Sequence, residues 1–117
     1  MDLEFLVKNL FIHQITIKFL HFQSKKRTEH TDLDNYYSSF SENMDKLIEC
    51  NIARVPLNVK NMELEIHVPE SSVSYLKHFR NFLIDVISTD FLETHISTIV
   101  DDMLIDIDRT IYLLKFS

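Results

Sequence analysis

Residues 29–51 read EHTDLDNYYSSFSENMDKLIECN, and the spacing within this stretch decides the fold. Leu33, Tyr37, Phe40, Met44 and Leu47 recur every three or four residues. At about 100° per residue they occupy an arc of roughly 80° around a helix axis. That is the apolar stripe of an amphipathic helix. A second stripe borders it. His30, Asp34, Asp45 and Glu49 are spaced four, eleven and four residues apart. They fall at about 0°, 40°, 60° and 100° on the same wheel. His21 stands just upstream. Imidazoles and carboxylates together form a mixed nitrogen and oxygen donor set that suits iron, manganese or zinc. These five residues are the candidate metal ligands.

Upstream, Leu3, Leu6, Leu10, Ile17 and Leu20 keep a three-four spacing, with His13 filling the missing core position. This predicts a helix over about 3–24, with Asp2 as its N-cap and the polar run Ser24–Thr28 as the break after it. Downstream the period changes. Met62, Leu64, Ile66 and Val68 alternate with Glu63, Glu65 and His67, between Pro56 and Pro69. A period of two means extended chain. Residues 52–69 therefore read as a crossover, with one short strand at most. It is long enough to return along a bundle and make the helices on either side of it parallel. A third helix is expected from Ser71 or Ser72 to about Ile87, and a fourth over about 91–115. The fourth has Ile96, Ile99, Met103, Ile107, Thr110 and Leu114 as candidate core. The expectation is one all-α domain, 1–117: a four-helix bundle with the long second-to-third crossover of ferritin-like folds.

Composition agrees. The chain contains no glycine, so hairpin-rich β folds that need positive φ are disfavoured. One cysteine, Cys50, excludes an internal disulfide and fits a reducing, cytoplasmic setting; it reads as a small packed residue. Glu4, Lys8, His13, Gln14 and Lys18 interrupt the first helix, which is not a membrane span. A net charge of −6 without a basic tail argues against nucleic acid as a partner. No Ser-His-Asp set, phosphate loop or CxxC pair is visible. Asp101, Asp102, Asp106 and Asp108 lack an accompanying ExxH and read as a solvated acidic face. His13 reads as a hydrogen-bonded core histidine.

The stretch HQITIKFLHFQSKKRTEHTDLDNYYSSFSENMDKLIEC, residues 13–50, resembles the first helix pair of the Dps-type miniferritins. His21-Phe22 stands where that family has His-Trp, and His30-x-x-x-Asp34 and Asp45-x-x-x-Glu49 follow its two helix motifs. YLKHFRNFLIDV and DDMLIDIDRTIYLLKF resemble small ferritin-like proteins of phages and large DNA viruses. The resemblance implies a ferroxidase that oxidises Fe(II) for iron storage or peroxide protection. Its di-iron site would lie between two subunits, with His21, His30 and Asp34 from one and Asp45 and Glu49 from its two-fold mate. Zinc or manganese could substitute. Geometry agrees in one respect: Asp34 and Asp45 are about 16 Å apart along a helix, so one chain cannot close both pairs on one cluster. The expected partner is a second copy, as a two-fold dimer or within a larger shell. The chain departs from the family at Phe22, in the missing basic tail and in the missing short helix of the crossover. A second function class therefore stands beside the first: a non-catalytic structural or interaction protein, for example a viral component in a virion or the host cytoplasm.

Overall fold

The computed structural model describes residues 1–117 as four helices and no strand. They are α1 (Leu3–Gln23), α2 (Arg27–Ile52), α3 (Ser72–Ser88) and α4 (Thr94–Leu114). Contacts join α1 to α2, α2 to α4 and α4 to α3. Aromatic pairs such as Phe5–Phe82 join α1 to α3 and close the ring. α1 and α4 thus sit across a diagonal. Two side-chain bonds fix the direction of the crossover. Ser72 Oγ donates to Glu29 Oε1 at 2.9 Å, tying the start of α3 to the start of α2. Arg54 donates to the Phe91 carbonyl at 2.6 Å, tying the end of α2 to the α3–α4 turn. α2 and α3 therefore run parallel, and the bundle has the ferritin-like connectivity expected from the 52–69 segment.

The core follows the stripes. Leu6, Leu10, Ile17, Leu33, Phe40, Met44, Leu47, Leu76, Leu83, Val100, Met103 and Ile107 are all but inaccessible. Asp2 caps α1 by accepting from the Phe5 amide at 2.8 Å, and Ser71 caps α3 by accepting from the Ser74 amide at 3.1 Å. Ser71→Ala is expected to lower unfolding free energy by about 1 kcal/mol, read by urea denaturation. An unchanged midpoint would show that this cap contributes nothing. No residue has a positive φ, so every turn is made without glycine.

The crossover alternates as its sequence does. Met62, Leu64, Ile66 and Val68 are half-buried, and Glu63, Glu65 and His67 are exposed. It forms no strand, because residues 56–70 have no backbone hydrogen-bond partner. The fourth helix begins later than expected, at Thr94. Phe91 and Leu92 instead pack against the core from the turn, and the Phe91 carbonyl is taken by Arg54. Cys50 is exposed, not packed. The core stripe is held at that level by Leu47 and Asn51, and the position before Asn51 is rotated out by about 100°.

α1 is apolar on two sides. Phe11, Ile15, Phe19 and Phe22 lie roughly opposite its buried residues on the wheel. Phe22 is 67% exposed and Phe19 44%. A helix apolar all round is one that is covered on both faces. No helix of the chain is long and apolar enough to cross a membrane.

Candidate metal centre

The turn Ser24–Lys26 folds the end of α1 against the start of α2 and brings His21 beside His30. Each imidazole bonds the other residue's backbone. His21 Nδ1 lies 2.8 Å from the His30 carbonyl, and His30 Nδ1 lies 2.9 Å from the His21 carbonyl. A carbonyl only accepts, so both Nδ1 atoms carry the proton and donate it. Both Nε2 atoms are left with free lone pairs. A metal-binding histidine is commonly oriented in this way, with its second nitrogen anchored to a carbonyl. The rings stack at 3.8 Å between centroids, 25° apart. Stacking and the reciprocal bonds hold both side chains in register. His21 is buried and His30 exposed, so the pair opens to the surface.

Asp34, one turn beyond His30, places Oδ1 4.0 Å from His21 Nε2. The same oxygen is 3.6 Å from Lys18 Nζ. Lys18 also lies over the Tyr37 ring at 4.4 Å and the Phe22 ring at 5.6 Å. Lys18 is a neighbour of the candidate ligands that the ligand pattern alone does not reveal. The signal for it is its place three residues before His21 on α1, which puts the two on one face. Its ammonium balances the Asp34 charge.

Of the five candidate ligands, the chain thus brings together His21, His30 and Asp34. Asp45 and Glu49 are exposed and lie some 16 Å or more further along α2. Neither has a salt bridge. Within one chain no three His, Cys, Asp or Glu side chains converge to hold an ion. Asp45 and Glu49 continue along α2 the stripe that His30 and Asp34 begin.

Two further clusters lie elsewhere. His13 is fully buried among α1, α2 and α3, with Nδ1 2.9 Å from the Tyr75 hydroxyl and Nε2 2.7 Å from the Tyr36 hydroxyl. Its ring stacks on Phe79 at 3.5 Å. It is a core histidine, as its position suggests, with both ring nitrogens taken by tyrosine hydroxyls. On α4 the acidic face is less solvated than expected. Asp106 is half-buried and accepts from Ser39 at 2.5 Å and from Asn43 at 3.3 Å. Asp108 pairs with Arg80 at 2.6 Å. Asp101 and Asp102 are exposed.

Comparison with known proteins places residues 21–114 in one family. The chain belongs to the family described as a family of unknown function, DUF5856. No curated protein and no solved structure matches it.

Proposed function

We propose that this bundle works as a two-fold dimer that binds Fe(II) between its subunits and oxidises it, in the manner of a ferroxidase-type miniferritin. The observation that carries the reading is the His21–His30 lock. It fixes two imidazoles with Nε2 free beside a carboxylate, which is half of a metal site. The other half, Asp45 and Glu49, lies exposed on the same stripe of α2 as His30 and Asp34. Two-fold pairing through the α1–α2 face would set His21, His30 and Asp34 of one copy against Asp45 and Glu49 of the other. The same pairing would cover Phe11, Phe19 and Phe22, which a lone chain leaves in water.

Iron is here the substrate. Two Fe(II) at the site give one electron each, so that with two protons peroxide goes to water or dioxygen to peroxide, and the carboxylates favour the Fe(III) product. The residues bind and orient the ion; neutral imidazole is the ligating form, so affinity is expected to fall on acidification. With no helix suited to crossing a membrane and a single cysteine, the cytoplasm is the proposed place of work.

A second reading, a non-catalytic assembly protein, is favoured by one observation. Lys18 already supplies a positive charge to Asp34, so the face can be neutral without metal. Metal content separates the two. Protein purified without chelator is expected to retain iron or zinc by elemental analysis. Titrated with Fe(II) in air, it is expected to bind about two ions per inter-subunit site and to oxidise them faster than buffer does. Absence of both retained metal and accelerated oxidation leaves the assembly reading.

A further inference from the structure

The outer face of α4 is a second unpartnered surface. Ile105 and Tyr112 stand along it, Phe116 follows just past its end against Tyr112, and each is at least 60% exposed. On the helical wheel Ile105 and Tyr112 lie within roughly 20° of each other, about opposite the buried Met103 and Ile107. Because α4 lies diagonally across the ring from α1, this face stays open when the α1–α2 face is covered.

The charges beside the stripe say what fits it. Asp102 and Arg109 flank the stripe on the same side, seven residues apart and within about 20° of each other. Both are exposed, and neither has an ion-pair partner in its own chain. When two identical helices pack antiparallel about a two-fold axis, each flank meets the same flank of the other. Residue i then faces j while j faces i. Centred near Ile105, such a pair sets Arg109 of each copy against Asp102 of the other. Tyr112 of each then lies over the Thr98–Ile99 level of its mate. The opposite flank carries Asp101 and Asp108, a like-charge pairing. Arg80, already 2.6 Å from Asp108, offsets it.

We infer that the outer face of α4 is a self-complementary interface occupied by the α4 of a second copy. Its contacts are the Ile105–Tyr112 stripe and two Asp102–Arg109 ion pairs. Together with the α1–α2 pairing of the proposed function, this gives the chain two isologous faces on opposite sides. The assembly then extends beyond two chains.

Sedimentation equilibrium of the full chain at micromolar concentration tests this, with circular dichroism to show that each variant remains helical. The unaltered protein is expected to exceed the mass of two chains. Ile105→Glu is expected to stop at two, and so are Asp102→Arg and Arg109→Asp singly. The combined Asp102→Arg, Arg109→Asp variant is expected to regain the original mass, because the charges are exchanged and not lost. Phe19→Glu with Phe22→Glu removes the α1 face alone. If those two substitutions change nothing while Ile105→Glu halves the mass, the α1 pairing is wrong and the α4 interface stands. Unaltered mass in Ile105→Glu, or failure of the double exchange to restore what the single exchanges break, overturns the α4 interface.

Discussion

Acidification from pH 7 to pH 5 is expected to cost the bundle unfolding free energy through His13 alone, at most about 2 kcal/mol. The ring is fully buried against Phe79 and Phe40, and both its nitrogens are committed to tyrosine hydroxyls. A neutral imidazole has one N–H and one lone pair, so one hydroxyl accepts and the other donates. A second proton would remove the acceptor and place a charge where no carboxylate reaches it. Burial therefore holds His13 well below the ordinary histidine range. Burial also raises both tyrosines, Tyr75 to about 12 and Tyr36 well above its ordinary value, so both remain neutral phenols. The sign follows from linkage. The unfolded chain takes up a proton near pH 6.5 that the folded chain refuses. Stability is whole above that pH and falls below it, by at most about 1.4 kcal/mol per pH unit. Urea titrations at pH 7, 6 and 5, at fixed protein concentration, should show this slope. His13→Gln keeps one donor and one acceptor for the two tyrosines but does not titrate, and its profile should be flatter by the same 2 kcal/mol. Parallel profiles for the two proteins would place the acid sensitivity elsewhere. His13→Ala should be costlier at any pH, on the order of 4 kcal/mol, because it leaves a cavity and strands two buried hydroxyls.

The fold is legible in the sequence because each helix writes its buried face at a spacing that nothing else imitates. Leu33, Phe40, Met44 and Leu47 are the clearest case, and the switch to alternation at Met62–Val68 marks the one place where the chain must run straight. The parallel course of α2 and α3 follows from that switch, since a tight turn would not need it. Helix ends are less legible. The start of α4 is set by Phe91 and Leu92 finding the core and by Arg54 capturing a carbonyl from 37 residues away, which no local pattern encodes. The site divides in the same way. His21, His30 and Asp34 meet because a short turn and one helical turn bring them together, both local facts. The reciprocal Nδ1 bonds and the Lys18 contact depend on side-chain geometry across two helices. Tyr36 and Tyr75 as partners of His13 depend on three. The two empty apolar faces are legible only once the core is known, because an exposed Phe19 and a buried Ile17 look alike in a list of residues.

Two inactive variants are expected to restore each other when mixed. If the metal site is shared, His21→Ala with His30→Ala removes the nitrogen half from a chain and leaves its Asp45 and Glu49 intact. Asp45→Ala with Glu49→Ala does the reverse. Asp45 and Glu49 are exposed and unpaired, so their loss should leave the helix content unchanged. The His21 and His30 rings hydrogen-bond only each other's backbone carbonyls, so a modest loss of stability is expected there, on the order of 1–2 kcal/mol. Each homodimer has two sites, and every site lacks half its donors. Each should therefore fail to accelerate Fe(II) oxidation above buffer. A heterodimer of the two variants has one site with all five donors and one left with Asp34 alone. Unfolding and refolding the two together in equal amounts gives roughly half heterodimer if pairing is random. One site in two is then complete in half the dimers, so oxidation should return to about one quarter of the unaltered rate per chain. The measurement is the initial growth of ferric absorbance after Fe(II) addition. A site built within one chain could not be rescued in this way, because no pairing would restore the missing donors to their own subunit. Activity in either variant alone would remove its altered residues from the site. A refolded mixture that stays as inactive as its components, with heterodimer shown by mass, would show that the two halves do not meet across the two-fold axis.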